Sequence, residues 1–479
     1  MVTRQQRALS GIRFGSDGYR GVIGEDFTWQ RVSRLAAATA KYLHNAGAPK
    51  DSVIPIGYDT RFLALQYARA VYGALRQEGF QPCLAATPCP SPYLSFAVRR
   101  FEAPLGIMLT ASHNPARYLG FKLKGPEGGS ALPEVNQAVE RLAGEDAIEF
   151  GFASAFARTT VYEQFDLRAD YEDAIRGYAA VQLAELPLSV NVDFMYGSTG
   201  YVYLPVLRTL LRDFTPIHHE PDPCFGGGKP EPISEQLDEL VGWVEARSGS
   251  CGAAFDGDGD RLGLIDEDGV FVPPEDIYAI CLLHLVEDRG MRGRVIKSVS
   301  FSSLVDRVAT ELGLDTVEVP VGFKHSTERM LEPGALMAAE ESGGFGFAFH
   351  LPERDALLTL VIVLSALAQR KLNLRQLRSQ LAARFGRPCF RRLDVPLAGA
   401  AQREVLQGRL EQLKTAPSLA GVRATSTSDL DGVKLNYPGG FLLLRLSGTE
   451  PLLRIYCEHT SEEGLRATID RAQRFLLAS

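Results

Sequence analysis

The order of apolar and polar positions divides the chain into short strands alternating with longer helices. From Val53 the pattern predicts a strand over Val53–Gly57, a helix over Leu63–Gly79, a strand over Pro82–Ala86, a helix over Pro92–Phe101 and a third strand over Leu105–Leu109. Strands separated by helical patterns imply parallel β-α-β units. The same order returns twice. It gives Ser189–Asp193, a helix after Gly200, Pro216–His219, a helix over Ser234–Arg247 and Gly252–Phe255. It then gives Arg294–Val299, a helix over Ser302–Leu312, Thr316–Pro320, a short helix and Ala335–Ala339. No fixed period links these units, so an architecture recurs without a sequence repeat. Beyond about residue 385, short strands (Arg391–Val395, Gly432–Asn436, Phe441–Leu446, Leu453–Cys457) mix with two helices. The fold class expected is therefore α/β, three similar mixed α/β domains followed by a smaller C-terminal α+β domain.

Each third strand of the three α/β units runs into a polar loop: Thr110–Pro115, Asp256–Arg261 and Glu340–Gly344. In open α/β sheets, ligands bind beyond the carboxyl ends of the strands, so these loops are the places to look for chemistry.

Composition narrows the classes. A length of 479 residues predicts about three domains, and 45% hydrophobic with 23% charged residues is ordinary for a soluble globular protein. The net charge of -7 opposes generic nucleic-acid binding. Phosphate, if handled, must then meet a local concentration of basic residues. Seven cysteines without any C-x-x-C suggest neither a disulfide framework nor a zinc ribbon, which fits a reduced, cytoplasmic setting. Residues 1–15 lack the apolar core of a signal peptide. The longest apolar run, Ala356–Ala368, is 13 residues, short of the roughly 20 that span a bilayer, and is expected to be a buried helix rather than a membrane segment.

Asp256-Gly-Asp258-Gly-Asp260-Arg261 sets three carboxylates at alternate positions on a glycine-relieved loop, a hard-oxygen set suited to Mg²⁺. An EF-hand is the competing reading, but its sixth position needs Gly and here carries Arg261, and the flanks read as strands. Thr110-Ala-Ser112-His113-Asn114-Pro115 offers Ser112 as a nucleophile, or else a helix cap followed by a turn. Gly120–Lys124 reads as a strand edge returning past that loop, with Lys122 as a proton carrier or phosphate contact. Arg445-Leu-Ser447-Gly448-Thr449-Glu-Pro, followed by Arg454, gathers guanidiniums, hydroxyls and backbone N–H groups into an anion nest, with a polar hairpin turn as the bland alternative. Glu340-Glu341-Ser342-Gly-Gly suits the hydroxyls of a polyol. His218-His219 reads as strand-end surface. Neither a P-loop nor G-x-G-x-x-G is present, so nucleotide binding has no support.

Taken together, TASHNP at 110–115, DGDGDR at 256–261, EESGG at 340–344 and RLSGTEP at 445–451 resemble the α-D-phosphohexomutases, the phosphoglucomutase/phosphomannomutase family. FGSDGYRG at 14–21, GYDTR at 57–61, GFK at 120–122 and VGFK at 321–324 support the resemblance over essentially the whole chain. It implies four domains around a central cleft: 1–155 with the phosphoserine loop, 156–266 with the metal loop, 267–385 with the sugar loop and 386–479 with the phosphate loop. It further implies transfer of phosphate between C1 and C6 of a hexose through a hexose 1,6-bisphosphate that serves as intermediate and activator. By the resemblance Ser112 is the phosphorylated serine, and Asp256, Asp258 and Asp260 hold Mg²⁺ beside it. Lys122, with Arg20, His113 and Arg261 around it, is the general acid/base. Glu340 and Ser342 grip sugar hydroxyls, while Lys324 or His325 faces the substrate. Arg445, Ser447, Gly448, Thr449 and Arg454 clamp the non-reacting phosphate. Leu119 departs from the Asn common before Gly-Phe-Lys. EESGG with VGFK ranks glucose phosphate first, mannose phosphate second and glucosamine phosphate third. The partners expected are small hexose phosphates, with the protein a monomer or dimer. A glucose-1,6-bisphosphate synthase on the same machinery, a phosphatase and a catalytically silent sugar-phosphate sensor are the alternatives.

Overall fold

The computed structural model describes residues 12–15, 17–144, 161–179, 183, 186, 188–416, 418–419, 422–447 and 452–477. Four sheets of five or six strands follow one another along the chain. The first is built from β1 (Tyr19–Val22), β2 (Val53–Tyr58), β3 (Gln81–Ala85), β4 (Gly106–Leu109), β5 (Tyr118–Lys124) and β6 (Gln164–Phe165), in the order β1-β5-β4-β2-β3-β6. β4, β2, β3 and β6 run parallel, whereas β5 returns antiparallel between β4 and β1. The Gly120–Lys124 segment is thus an interior strand and not an edge. That placement buries Lys122 and Lys124.

The second sheet orders β7 (Ser189–Asp193), β8 (Phe214–Ile217), β9 (Ser250–Phe255), β10 (Leu262–Ile265) and β11 (Phe271–Val272) as β11-β10-β9-β7-β8. The third orders β12 (Arg294–Ser298), β13 (Thr316–Val319), β14 (Ala335–Ala339), β15 (Phe345–Phe347) and β16 (Leu351–Arg354) as β13-β12-β14-β15-β16. In both, three parallel strands are extended by antiparallel ones. Because β6 joins the first sheet and β11 the second, these two sheets extend past residues 155 and 266.

The last domain is antiparallel. β17 (Cys389–Pro396), a short hairpin of β18 (Ser418–Leu419) and β19 (Val422–Arg423), β20 (Ser426–Ser428), β21 (Val433–Tyr437), β22 (Gly440–Leu446) and β23 (Leu452–His459) accompany two helices. The main sheet runs β17-β23-β22-β21-β20.

The first three domains share one contiguous apolar core, which includes the apolar run, now the helix Ala356–Arg370. Thirteen successive residues of that helix are buried, so it packs inside the fold on every side, as an all-apolar helix must. Among the described residues no single helix is long and apolar enough to cross a membrane. The last domain has its own core around Leu435, Leu442, Leu444 and Ile455. It docks on the third through Val299, Phe441, Leu443 and Tyr456. Polar contacts complete this joint. Glu458 on β23 accepts from the hydroxyls of Ser302 and Ser303 and from the Ser303 backbone N–H at 3.1 Å, just ahead of the helix Leu304–Glu311. That helix starts two residues later than the Ser302 its pattern predicts. All seven cysteines are free thiols.

Candidate active site

Ser112 lies where the chain turns back from β4 into β5. It is buried and adopts φ +52°, a left-handed conformation unfavourable for a residue with a Cβ. The surroundings hold it there. Its backbone N–H donates to Thr110 Oγ1 at 2.9 Å, and Thr110 donates to Asp59 Oδ2 at 2.6 Å. Arg61, paired with Asp59 at 3.0 Å, donates to the carbonyl oxygens of Ser112, Asn114, Pro115 and Tyr118. Strain kept in place by over-determined contacts is a property of functional loops. The Ser112 hydroxyl donates to Asp256 Oδ2 at 2.9 Å, and its Oγ lies 3.3 Å from His113 Nδ1.

Asp256, Asp258 and Asp260 occupy the turn between β9 and β10, so the strand flanks dispose of the EF-hand. The turn is tight enough that its glycines are obligatory. A Cβ on Gly257 would stand 2.8 Å from the Ser112 carbonyl oxygen, and Gly259 takes φ +71°. All three carboxylates are buried, and one oxygen from each falls within 4.8 Å of the others. Burial, then the charges of Asp260 and Asp258, pushes the Asp256 carboxyl well above its usual range. Asp258 Oδ1 and Asp260 Oδ1 are buried without a hydrogen-bond partner. Arg261 Nε stands 3.9 Å from the latter, beyond hydrogen-bond reach. Converging, unpaired, mutually repelling carboxylate oxygens are the donor set that a hard divalent cation satisfies. The residues fit Mg²⁺.

Cations enclose the carboxylates. Lys122 Nζ lies 2.8 Å from Asp17 Oδ2, 2.9 Å from Asp258 Oδ2 and 3.8 Å from Asp260 Oδ2. Burial works against its charge, but Asp17, Asp258 and Asp260 together outweigh burial and raise its pKa. Asp258 Oδ2 also accepts from Ser91 Oγ at 2.6 Å. Arg20 Nη1 donates to Asn114 Oδ1, and Arg261 pairs with Glu231 at 3.3 Å. Half-buried His113 is held neutral, first by desolvation and then by the charges of Arg261, Arg20, Lys122 and Arg61.

The 340–344 loop is stitched to the Asp256–Arg261 loop. Leu262 N–H donates to the Gly343 carbonyl at 3.0 Å, and Arg261 forms a β-bridge with Gly344. Glu340 Oε1 accepts the Gly322 N–H at 3.0 Å, Ser342 is half-buried, and Glu341 turns away to Ser298 and Ser300 at 3.0 and 2.7 Å. Burial pushes the Glu340 carboxyl up to about 7, against the opposing charge of Arg354. Between its ordinary value of 4.5 and about 7 the folded protein holds a proton the unfolded chain has lost, so stability falls as pH rises through that window. Glu340→Gln is therefore expected to gain on the wild type by up to about 3 kcal/mol between about pH 4.5 and pH 8, at about 1.4 kcal/mol per pKa unit. Urea unfolding at both ends of the window checks this; parallel curves would contradict it.

In the last domain Arg445 and Arg454 face one another across β22 and β23. Arg445 Nε donates to Asp431 Oδ2 at 2.7 Å, and Asp431 also accepts Val321 N–H at 3.0 Å, tying this face to the third domain. Ser447 is buried, with its carbonyl accepting from Arg403 at 3.0 Å. Gly448 and Thr449 lie outside the described residues. Lys324 and His325 open the helix Phe323–Met330; Lys324 Nζ reaches the Gly15 carbonyl at 3.3 Å. Burial, then the neighbouring Lys324, lowers the His325 pKa, with Arg445 acting in the same direction.

Several site residues escaped sequence reasoning. Arg354, at the end of β16, is buried with its guanidinium 2.7 Å from Asp260 Oδ2, 3.0 Å from Asp17 Oδ2 and 3.3 Å from Glu340 Oε2. It links loops of the first three domains, yet its only mark in the sequence is a Glu-Arg-Asp step before an apolar run. Asp17 and Arg61 stood inside matched strings, without a role. Ser91 carried no signal. His218 is half-buried and paired with Asp193 at 3.1 Å, not simply strand-end surface.

Loops of three domains that converge on a serine, a carboxylate triad and a shell of Lys and Arg define a phosphoryl-transfer enzyme. Models of the phosphoglucomutase/phosphomannomutase family match the chain in order: alpha/beta/alpha domain I over 11–148, domain II over 169–269, domain III over 273–385 and the C-terminal domain over 405–473. The chain belongs to the phosphoglucomutase/phosphomannomutase family of phosphohexomutases. It is 27% identical over 472 residues to a phosphoglucomutase/phosphomannomutase of Thermococcus kodakarensis, covering 97% of this chain and 98% of that one. It is 30% identical over 485 residues to a phosphoglucosamine mutase of Parafrankia, covering 96% and 97%. A crystal structure of a candidate phosphomannomutase from Thermus thermophilus is 34% identical, with a TM-score of 0.84 over 97% of this chain and 99% of that one.

Proposed function

We propose that the chain interconverts hexose 1-phosphates and hexose 6-phosphates, glucose phosphate first and mannose phosphate second, through a phosphoryl group carried on Ser112 and a hexose 1,6-bisphosphate. The observation that carries this reading is the strained Ser112 hydroxyl, 2.9 Å from Asp256 and beside carboxylate oxygens that lack partners. Phosphoryl transfer depends on positioning and on neutralising charge. Asp256, Asp258 and Asp260 would hold Mg²⁺, which supplies part of that neutralisation.

Transfer from phosphoserine to a sugar hydroxyl forms one O–P bond and breaks another, and the hydroxyl proton must end on the Ser112 oxygen. His113, held neutral with Nδ1 3.3 Å from Ser112 Oγ, is placed to hydrogen-bond that oxygen during transfer. The resemblance makes Lys122 acid and base alike. Clamped as a cation between Asp17 and Asp258, it is equipped above all as positive charge for the transferring group. Arg20 and Arg261 add further charge. Glu340 and Ser342 would take the sugar hydroxyls, with Lys324 and His325 beside them. Arg445, Ser447 and Arg454, with Gly448 and Thr449 by resemblance, would hold the phosphate that does not react, in either orientation of the sugar.

A second reading, phosphoglucosamine as substrate, is favoured by relatives of that name at 27–30% identity. Intact-mass measurement after incubation with glucose 1,6-bisphosphate tests the proposal. One added phosphoryl group, lost again to glucose 1-phosphate, is expected. No phosphorylation by any donor would overturn it in favour of a silent sensor. Rates on glucose, mannose and glucosamine phosphates, with and without bisphosphate, then decide the sugar and separate a mutase from a bisphosphate synthase.

A further inference from the structure

Behind the carboxylate loop, the second domain concentrates backbone strain that the proposed chemistry does not use. Met195, Tyr196, His218 and Phe225 all have side chains and all adopt positive φ, between +45° and +57°. Residues held this way persist only where surrounding contacts over-determine them, and they gather at functional sites.

The contacts here form a chain that ends at the carboxylates. His218 Nδ1 lies 3.1 Å from Asp193 Oδ1, and the same oxygen accepts the Met195 N–H at 2.7 Å. The Tyr196 N–H donates to the His218 carbonyl at 2.8 Å, and the two rings stack with centroids 4.4 Å apart. Across the domain boundary, Thr60 Oγ1 donates to the Tyr196 carbonyl at 3.2 Å. The turn so fixed delivers Gly197 and Ser198. A Cβ on Gly197 would meet the Gly257 carbonyl at 2.8 Å, and Ser198 donates to that carbonyl from both N–H and Oγ at 3.1 Å. The following helix, Thr199–Leu210, supplies Tyr203, whose OH donates to the Gly259 carbonyl at 2.8 Å. Gly257 and Gly259 are the two residues between the three aspartates.

We infer that the His218–Asp193 pair and the Tyr196 turn it locks are a positioning device for the divalent-cation site, fixing the Gly257 and Gly259 carbonyls and so the spacing of Asp256, Asp258 and Asp260. This rests on the reading of those aspartates as the cation site. His218 and Asp193 touch neither cation nor substrate; they act through the turn. A pair that only stabilised the second domain would change melting temperature without changing cation affinity.

The test is Mn²⁺ binding to the full chain by electron paramagnetic resonance, alongside steady-state kinetics, for His218→Gln and Asp193→Asn. Both are expected to weaken Mn²⁺ binding about tenfold or more, the size of effect that supporting residues have at metal sites. They should lower kcat while leaving KM for hexose phosphate within about twofold. His219→Ala, at the neighbouring residue, whose ring lies 3.6 Å from Glu220, should bind Mn²⁺ as the wild type does. Tyr196→Leu, which removes the ring stack alone, decides the matter if either variant loses its fold. Unaltered Mn²⁺ binding in the folded variants, with or without a lower melting temperature, would overturn the inference while leaving the cation site intact. Failure of the wild type to bind Mn²⁺ would sink both.

Discussion

Ser112→Ala is expected to lower mutase turnover by at least about a thousandfold, the scale on which enzymes lose activity when a covalent nucleophile is deleted. The mass gain on incubation with hexose 1,6-bisphosphate should vanish with it. Hexose phosphate binding should persist, because the groups proposed to hold the sugar and its distal phosphate lie on other loops. The loop itself should keep its shape. Its braces act on backbone atoms: Ser112 N–H to Thr110, and Arg61 to the carbonyls of Ser112 and Asn114. Alanine keeps all of them and loses the hydroxyl's contacts to Asp256 and His113. Ser91 is the informative control, since its hydroxyl also meets the triad, at 2.6 Å from Asp258, but as a fixed donor on a helix. Ser91→Ala should therefore retain phosphorylation. Initial rates and intact mass on the three proteins check this, and substantial mutase activity in Ser112→Ala would remove the serine from the mechanism.

What the sequence displayed and what it hid follow from how far apart the interacting residues are. The parallel strands at 53–58, 81–85 and 106–109 were legible because strands buried on both faces read as short apolar runs between helical patterns. Ser112 and the three aspartates were legible because each sits within one short loop of unusual composition. Over Ser234–Arg247 the expected single helix is a 3₁₀ turn, Ser234–Gln236, followed by the helix Asp238–Glu245. Leu237 takes φ -112° and ψ 14° at the joint, and local periodicity does not report such a break. Arg354 was illegible for a different reason. Its partners Asp17, Asp260 and Glu340 come from three separate loops, Asp17 being 337 positions away, so no window of sequence contains the whole set. Lys124 with Glu353, both buried and paired across 229 positions, is hidden the same way.

Arg354→Met should destabilise the protein by about 3–5 kcal/mol, the usual penalty for removing one partner of a buried charge network. The guanidinium is 4% exposed and balances Asp260, Asp17, Glu340 and Glu353, so its loss leaves buried carboxylates facing one another. Arg375→Met, which breaks a pair about half exposed at both ends, should by contrast change stability by less than about 1 kcal/mol. Arg354→Lys should fall between them, because one ammonium cannot reproduce a planar fork that reaches Asp260 and Asp17 from one nitrogen and Glu340 from another. Urea unfolding of the four proteins gives the comparison, and repeating it with saturating Mg²⁺ sharpens it. A dication held by Asp256, Asp258 and Asp260 offsets part of the same negative charge that Arg354 offsets, so added Mg²⁺ should stabilise Arg354→Met more than it stabilises the wild type. If Mg²⁺ stabilises the two proteins equally, Arg354 and the cation site are not coupled through Asp260, and the guanidinium serves only to join the domains.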